Sequence, residues 1–420
     1  MSLTIQTTDE FDPTIPMVLP HEKVYSIQVG YKLFRLSGLS LSSDAPSYFT
    51  NYFSDPENED KVLFFDRNPV IFEKIYNHLQ GYSVNINNDY DFVHLWSDCF
   101  YFGLKRLQKL LTEYDIFSSV GNVSFKIPKS LFMGSEGNCP NFFTMQYDRL
   151  LINNLNIIER NNMLRPPPQT PAIVANRSPL LFSDILELLR GNTSIVRDEE
   201  HRKLLIKECR YYRFLELEQK LIKVKILNDA IIIDLFEITK KGTWNKSKDK
   251  SFECPLFYKR PYITEPSREL IVQINSTVES SIKLVINSSK KVACIKFTNK
   301  LATKIASIFK EYLENVLQDE NSLTFLVGFK NSKSIIDGDV MNENWVNEIM
   351  GIDEKDKQEN NGSEQGSKKR KLSEECKGEI IEINITKSLW KIMMRGKYSR
   401  LHAVLINGTT SKQEEVTFLV

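Results

Sequence analysis

The feature that most constrains this chain is an internal repeat. Residues 66–111 align with residues 176–221 at a constant offset of 110, without a gap, and eleven of the 46 pairs are identical. These are Arg67/Arg177, Pro69/Pro179, Phe72/Phe182, Ile75/Ile185, Leu79/Leu189, Gly81/Gly191, Leu95/Leu205, Cys99/Cys209, Tyr101/Tyr211, Leu107/Leu217 and Leu111/Leu221. Self-similarity at a fixed period marks one structural unit used more than once, and overlooking it mis-assigns the fold. Upstream, Pro46-Ser47-Tyr48-Phe49-Thr50 matches Pro140-Asn141-Phe142-Phe143-Thr144 at offset 94. The difference of 16 residues is an insertion in the second copy near 150–175, where four prolines lie between Pro166 and Pro171. A proline-rich loop absorbs extra residues without interrupting a helix or strand.

The local pattern of one copy is legible. Residues 24–30 alternate and end at Gly30, which predicts a strand and a turn. Residues 31–36 return as the second strand of a hairpin. Ser43-Asp44-Ala45 before Pro46 predicts a helix start. A short strand at 62–65 leads into Asp66-Arg67-Asn68-Pro69, a polar cap with proline in the first turn. Val70, Ile71, Ile75 and Leu79 then share one helical face, and Gly81 supplies a left-handed C-terminal residue. Phe92, Leu95, Trp96, Cys99 and Phe100 predict a buried helix. Leu104, Leu107, Leu110 and Leu111 predict a last amphipathic one.

In order, these residues resemble the BTB/POZ fold in its potassium-channel tetramerisation subtype. The opening strand corresponds to Ile27-Gln28-Val29-Gly30-Tyr31, followed by Phe34-Arg35-Leu36 and Pro46-Ser47-Tyr48-Phe49. The central signature is Phe64-Phe65-Asp66-Arg67-Asn68-Pro69. The next helix runs from Phe72 through Ile75-Tyr76-Asn77-His78-Leu79-Gln80-Gly81, and Cys99-Phe100-Tyr101-Phe102-Gly103 closes the pattern. Tyr31 stands where that pattern has a second glycine, and the threonine after Phe34 is missing. The second copy is more diverged, with Asn176-Arg177-Ser178-Pro179 and Tyr211-Tyr212-Arg213 at the matching places. The tandem arrangement resembles a fungal group of BTB proteins.

The resemblance implies protein–protein interaction, with self-association through the first domain. It makes Phe65, Asp66, Arg67 and Asn68 the candidate oligomer or partner interface. Asp66-Arg67 reads either as an inter-subunit ion pair, as the resemblance implies, or as a helix cap beside a surface arginine. A second function implied by the resemblance is substrate adaptor of a cullin-type ubiquitin ligase. That role calls for a Φ-x-E element and a helical extension after the domain. No convincing Φ-x-E occurs, and the second copy stands where the extension would be.

Composition trims the alternatives. Lys plus Arg is 55 and Asp plus Glu is 54, a formal net charge of +1, which argues against a nucleic-acid coat. No apolar run reaches membrane-spanning length, and the stretch 1–10 has no secretory pattern, so no membrane partner is expected. Six scattered cysteines without a CxxC read as reduced thiols of an intracellular protein, with Cys99 and Cys209 as small core residues. The five histidines show no metal-ligand spacing, and His78 and His94 fall on amphipathic helices, so no cofactor or metal is expected. No nucleophile-elbow, Walker or Rossmann fingerprint is present, so the expectation is a protein that is not an enzyme.

The expected architecture is α+β: two tandem BTB/POZ-like domains, then a mixed, β-rich α+β C-terminal domain with a disordered insertion. The boundaries are a flexible N-terminus at 1–22, domains at 23–116 and 122–224, and a third at 227–420. In the last, 231–233, 235–238, 269–274, 282–286, 292–297, 323–327, 380–385, 402–406 and 416–419 read as strands. Asn299 heads a helix to about Leu317. Lys391, Arg395, Lys397 and Arg400 make a basic stretch, either a solvated face or a contact for phosphate or an acidic partner. The segment 353–377 has only Leu372 and Cys376 as apolar residues among seven acidic and seven basic ones, and is expected to be disordered. Within it Lys368, Lys369, Arg370 and Lys371 resemble a monopartite nuclear import signal, which implies an import receptor and a nuclear or cytoplasmic location. Replacing these four residues by alanine in a fluorescent fusion is expected to shift signal from nucleus to cytoplasm; an unchanged distribution refutes the signal.

Overall fold

Alternation builds the first hairpin: β1 (Val24–Val29) turns Tyr25, Ile27 and Val29 inward, and β2 (Lys32–Ser37) does the same with Phe34 and Leu36. The turn uses Gly30 at φ 54°, where an added Cβ would stand 3.1 Å from the Arg67 carbonyl oxygen. This computed structural model describes residues 15–113, 115–132, 137–159, 168–245, 253–313, 316–351, 380–395 and 398–410. The expected import signal at 368–371, the segment 353–377 and the strand at 416–419 lie outside the described residues.

The chain divides into two compact units, Met1–Leu221 and Ile222–Val420. Unit 1 continues from the hairpin through α1 (Gly38–Ser42), α2 (Tyr48–Phe53), β3 (Val62–Phe65), α3 (Pro69–Leu79), α4 (Asp89–Phe102) and α5 (Lys105–Glu113). The sequence of elements then recurs, less α1. It runs β4 (Asp115–Val120), β5 (Val123–Pro128), α6 (Phe142–Glu159), β6 (Ile173–Val174), α7 (Pro179–Leu189), α8 (Glu199–Tyr212) and α9 (Leu215–Leu221). Each copy forms a three-stranded sheet with its hairpin antiparallel and its third strand parallel to the first, in the orders β2-β1-β3 and β5-β4-β6. The second hairpin begins at Asp115, upstream of the expected start at 122. Its apolar residues Ile116, Phe117 and Val120 do not alternate, so the signals available were Val120-Gly121, repeating Val29-Gly30, and the alternating Val123, Phe125 and Ile127 of β5. Gly121 also has φ 54°, and its missing Cβ leaves room for the Arg177 carbonyl.

The helix expected to start at 43–46 is α2, and it starts later, while α1 precedes that stretch. Ala45–Pro46 is a cis peptide, and Ser47, not the 43–45 stretch, caps α2. Ser47 Oγ accepts from the Thr50 amide and Thr50 Oγ1 accepts from the Ser47 amide at 2.8 Å, a capping box. Asn141 and Thr144 repeat it, with amide-to-side-chain bonds of 3.0 and 2.9 Å. Asp44 has a different task. It accepts from the Arg106 and Leu107 amides at 2.8 and 3.0 Å, capping α5, and bonds His78 Nε2 at 3.0 Å. In the second copy Asn138 accepts from the Leu217 amide at 3.1 Å, and Leu188 stands where His78 would be.

In a second pair the acid changes sides. Lys74 meets Asp91 at 3.2 Å in the first copy, while Asp184 meets His201 at 3.0 Å at the matching positions of the second. One apolar core runs through both copies of unit 1, from Leu19 to Leu217. Phe92 of α4 stacks near Phe117 and Tyr147, at 5.2 and 5.6 Å between ring centres, and Tyr147 donates to the Leu111 carbonyl at 3.1 Å. The domains expected at 23–116 and 122–224 therefore share one interior. Much of the aromatic content is in that interior, with Phe49, Phe65, Phe72 and Phe102 mutually edge-packed or stacked. Cys99 and Cys209 are fully buried, and burial pushes both thiols well above their ordinary range.

Unit 2 is β-rich. Its first strands are β7 (Val224–Leu227), β8 (Ala230–Asp234), β9 (Thr243–Asn245), β10 (Cys254–Pro255), β11 (Phe257–Lys259), β12 (Arg268–Asn275), β13 (Ile282–Asn287) and β14 (Val292–Thr298). Then come α10 (Asn299–Phe309), β15 (Leu317–Asp319), β16 (Ser322–Gly328), β17 (Lys333–Ile336), β18 (Asp339–Val340), α11 (Trp345–Ile349), β19 (Ile380–Arg395) and β20 (Tyr398–Thr410). The pairings β13–β14–β16–β20–β19–β13 close into a ring. β19 also pairs β12 further along its length, past the register shift at Ile385/Lys387 and across the one at Leu389/Trp390. The helix expected to run to Leu317 ends at Phe309; Tyr312, Leu313 and Val316 are buried from a tighter turn and irregular chain. Residues 235–238 are a turn, not a strand, because the Phe236 amide donates to Asp234 Oδ1 at 2.9 Å. Leu235 and Ile238 are still buried there, which explains their strand-like look.

Removing the Asp44 side chain leaves two helix amides and His78 without their buried acceptor, so Asp44→Ala is expected to cost about 2–3 kcal/mol. The pair Asp44→Asn with His78→Leu copies the second copy's solution. In a double-mutant cycle by urea denaturation it should cost less than the two single changes summed, by about 1 kcal/mol. Simple additivity would count against the two residues acting as a unit.

Candidate interaction site

The strip Phe65, Asp66, Arg67 and Asn68 is the junction between β3 and α3. Alternation buries Phe65 and leaves Phe64 exposed. Asn68 is the N-cap of α3, its Oδ1 accepting from the Val70 amide at 2.9 Å, with Pro69 in the first turn. Asp66 is exposed. Arg67 is held within its own chain: Nη1 bonds Asp98 Oδ1 at 2.5 Å, and the guanidinium lies over the Tyr101 ring, 3.9 Å from its centre. Tyr101 stacks on Tyr48 at 6.3 Å, and both rings are partly exposed. The described contacts thus join Arg67 to α4 as well as to the cap.

The second copy rebuilds this ladder. Arg177 Nη1 meets Glu208 Oε1 at 3.0 Å and its guanidinium lies 3.8 Å from the centre of Tyr211, which faces Phe142 at 6.0 Å. Burial lowers the Arg177 pKa, but the bond and charge of Glu208 outweigh it, so the net shift is upward. Each ladder is an acid, an arginine, a tyrosine and a second aromatic ring. Asp98, Tyr101 and Tyr48 escaped the sequence reading as site residues. The signal was there: Asp98/Glu208 keeps the acid, Tyr101/Tyr211 is identical and Tyr48/Phe142 keeps the ring at the repeat offsets.

The other singled-out residues have plain surroundings. His78 is bonded to buried Asp44, and His94 contacts the Tyr90 ring at 4.2 Å. Among the described residues no group of three or more His, Cys, Asp or Glu could hold a metal ion. Of the basic stretch, Lys391 pairs with Glu269 at 2.8 Å and Arg400 with Glu253, while Lys397 lies outside the described residues. No helix among the described residues is long and apolar enough to cross a membrane.

With this geometry in hand, comparison with known proteins defines the class. A family model described as the YLR108C C-terminal domain matches residues 236–416. The chain is 34% identical to the BTB/POZ domain-containing protein YLR108C of Saccharomyces cerevisiae, over 71% of this chain and 72% of that one. It is 36% identical to the uncharacterized protein YDR132C of the same yeast, over 75% of each chain. The chain belongs to the family of these two yeast proteins, one of which carries a BTB/POZ domain in its name.

The ladder makes a quantitative prediction. Arg67→Gln removes the ion pair to Asp98 at a site where the acid side chain is 10% exposed, and should destabilise unit 1 by about 2 kcal/mol. Arg177→Gln should cost less, because that arginine side chain is 34% exposed against 18% for Arg67. Thermal denaturation of the two variants checks the order; a larger loss at Arg177 would refute it.

Proposed function

We propose that this protein is a non-enzymatic interaction scaffold whose two unit-1 copies are both of the BTB/POZ type, with the first copy mediating self-association. The observation that carries this reading is the outer face of the first sheet. Val24, Leu33, Val62 and Phe64 are 58%, 47%, 52% and 58% exposed there. In register, Gln28 lies between Leu33 and Phe64, and Ser26 between Arg35 and Val62, so the apolar side chains flank a polar central strand. Such grouped apolar exposure favours burial against another protein surface. The second sheet is more polar at the matching row, where Ser119 lies between Ser124 and Ile173. The BTB/POZ name of one relative supports protein–protein interaction in general.

Within this reading β3 and its strip form the contact edge. Phe64 and Asp66 face the partner, and Arg67 and Asn68 hold the strip's shape. A nuclear role joins the proposal through the basic run at 368–371, read by an import receptor. Sedimentation of the full chain tests self-association: a dimer or larger species is expected, and Phe64→Asp with Val62→Lys should shift it to monomer. A wild-type monomer at about 100 μM would overturn it. Purification from native cells adds a second outcome, since near-stoichiometric recovery of a cullin would replace the scaffold reading with the adaptor one.

A further inference from the structure

Unit 1 carries a second surface that self-association does not use. Between α5 and α6, over α4, lies an open cleft of about 500 Å³. Its floor is Trp96 and Phe100, whose rings are 4.3 Å apart. One wall is apolar, with Ile152 61% exposed and Leu155 beside it one turn on. The other wall is the face of α5 that presents Lys105 and Lys109, one turn apart. These two lysines are the only ionisable side chains among the described residues that line the cleft. Lys109 also reaches Glu113 at 3.9 Å, but both side chains are more than half exposed, so that contact is weak.

We infer that this groove docks an acidic amphipathic helix of a partner protein. An apolar wall and a basic wall over an aromatic floor suit the helix-in-groove mode, in which side chains spaced i, i+3, i+4 and i+7 fill the trough. The lysine wall selects the sign of the partner's flanks, because carboxylates placed along it gain attraction and ammonium groups meet like charge. The second copy acts as an internal control. At the matching positions Trp96 becomes Ile206, Phe100 becomes Arg210 and Gln108 becomes Glu218. There Arg210 and Glu218 bond each other at 2.7 Å, and Leu215 and Gln219 stand where Lys105 and Lys109 do. The fold therefore does not require an aromatic floor with a lysine rim at this place, and the first copy has both.

The test uses the full-length chain and a fluorescein-labelled peptide of about 15 residues, ~22 Å long as a helix. It carries leucines at i, i+3, i+4 and i+7 with glutamates on its flanks. A second peptide has lysine in place of every glutamate. Fluorescence anisotropy should show the acidic peptide binding about tenfold or more tightly than the basic one. Lys105→Glu with Lys109→Glu should reverse that preference. Ile152→Asp, at an exposed wall position that the core does not need, should abolish binding while circular dichroism stays unchanged. The monomeric Phe64→Asp/Val62→Lys chain should bind the peptide as the wild type does, so this inference and self-association can fail separately. Equal binding of both peptides, no binding at about 100 μM, or indifference to the substitutions would overturn the inference. So would cross-linking from Ile152→Cys that captures another part of the same chain, or a second copy, in the peptide's place.

Discussion

One buried carboxylate organises the first copy. Asp44 sits in the link between α1 and α2, yet its oxygens receive the first amides of α5 and the ring of His78 on α3. Helix N-termini carry unpartnered amides and a partial positive charge, so an acid is the natural acceptor there. With Asp44 in place, the start of α5 is fixed against α3, and α4 is held between them. The Arg67 ladder depends on that framework, because Asp98 and Tyr101 project from α4 toward the β3–α3 junction. The outer sheet face and the α5 wall of the groove are both mounted on it.

The duplication lets the chain serve as its own comparison. Where Asp44 and His78 occur together in one copy, Asn138 and Leu188 occur together in the other: a carboxyl–imidazole pair is exchanged for an amide acceptor and an apolar neighbour. Where Lys74 faces Asp91, Asp184 faces His201, so the acid changes sides and its nitrogen partner changes with it. These are coupled solutions to the same packing problem, and each half alone would leave a buried group unmatched. The arginine ladder, in contrast, is kept with its parts in the same roles.

What could be read from the sequence follows from these physical demands. The helices α3, α4, α7 and α8 were legible because their apolar faces and capping residues repeat at one offset. The hairpin of the second copy was harder, since β4 is buried on both faces and does not alternate. The start of α2 was misplaced because Asp44 looks like a local cap, while its partners are 34 to 63 residues away in sequence. Arg67 was found by motif, but its partners Asp98 and Tyr101 are a helix apart and become visible as a group only in space. In unit 2 the strands β8, β12, β13, β14, β16, β19 and β20 showed through their apolar runs, the short strands β7, β9, β10, β11, β15, β17 and β18 did not, and false extents fell where buried side chains come from turns, at 235–238 and after Phe309.

The pairing of β19 has a consequence for synthesis. This strand follows α11 by a long stretch of sequence, yet it is hydrogen-bonded to β12, β13 and β20, and β20 in turn carries β16 and β17. Until residues 380–410 leave the ribosome, the earlier strands of unit 2 pair only among themselves, as β13–β14–β16 and as β7–β8–β12–β11–β9. Edges of β12 and β13 wait for partners made about a hundred residues later, and those of β16 and β17 for partners about seventy residues later. Unit 1 is complete by then, with its own core already closed. The nascent chain is thus a folded amino-terminal half trailing an unfinished sheet, and that sheet is the part most in need of protection from aggregation while translation finishes.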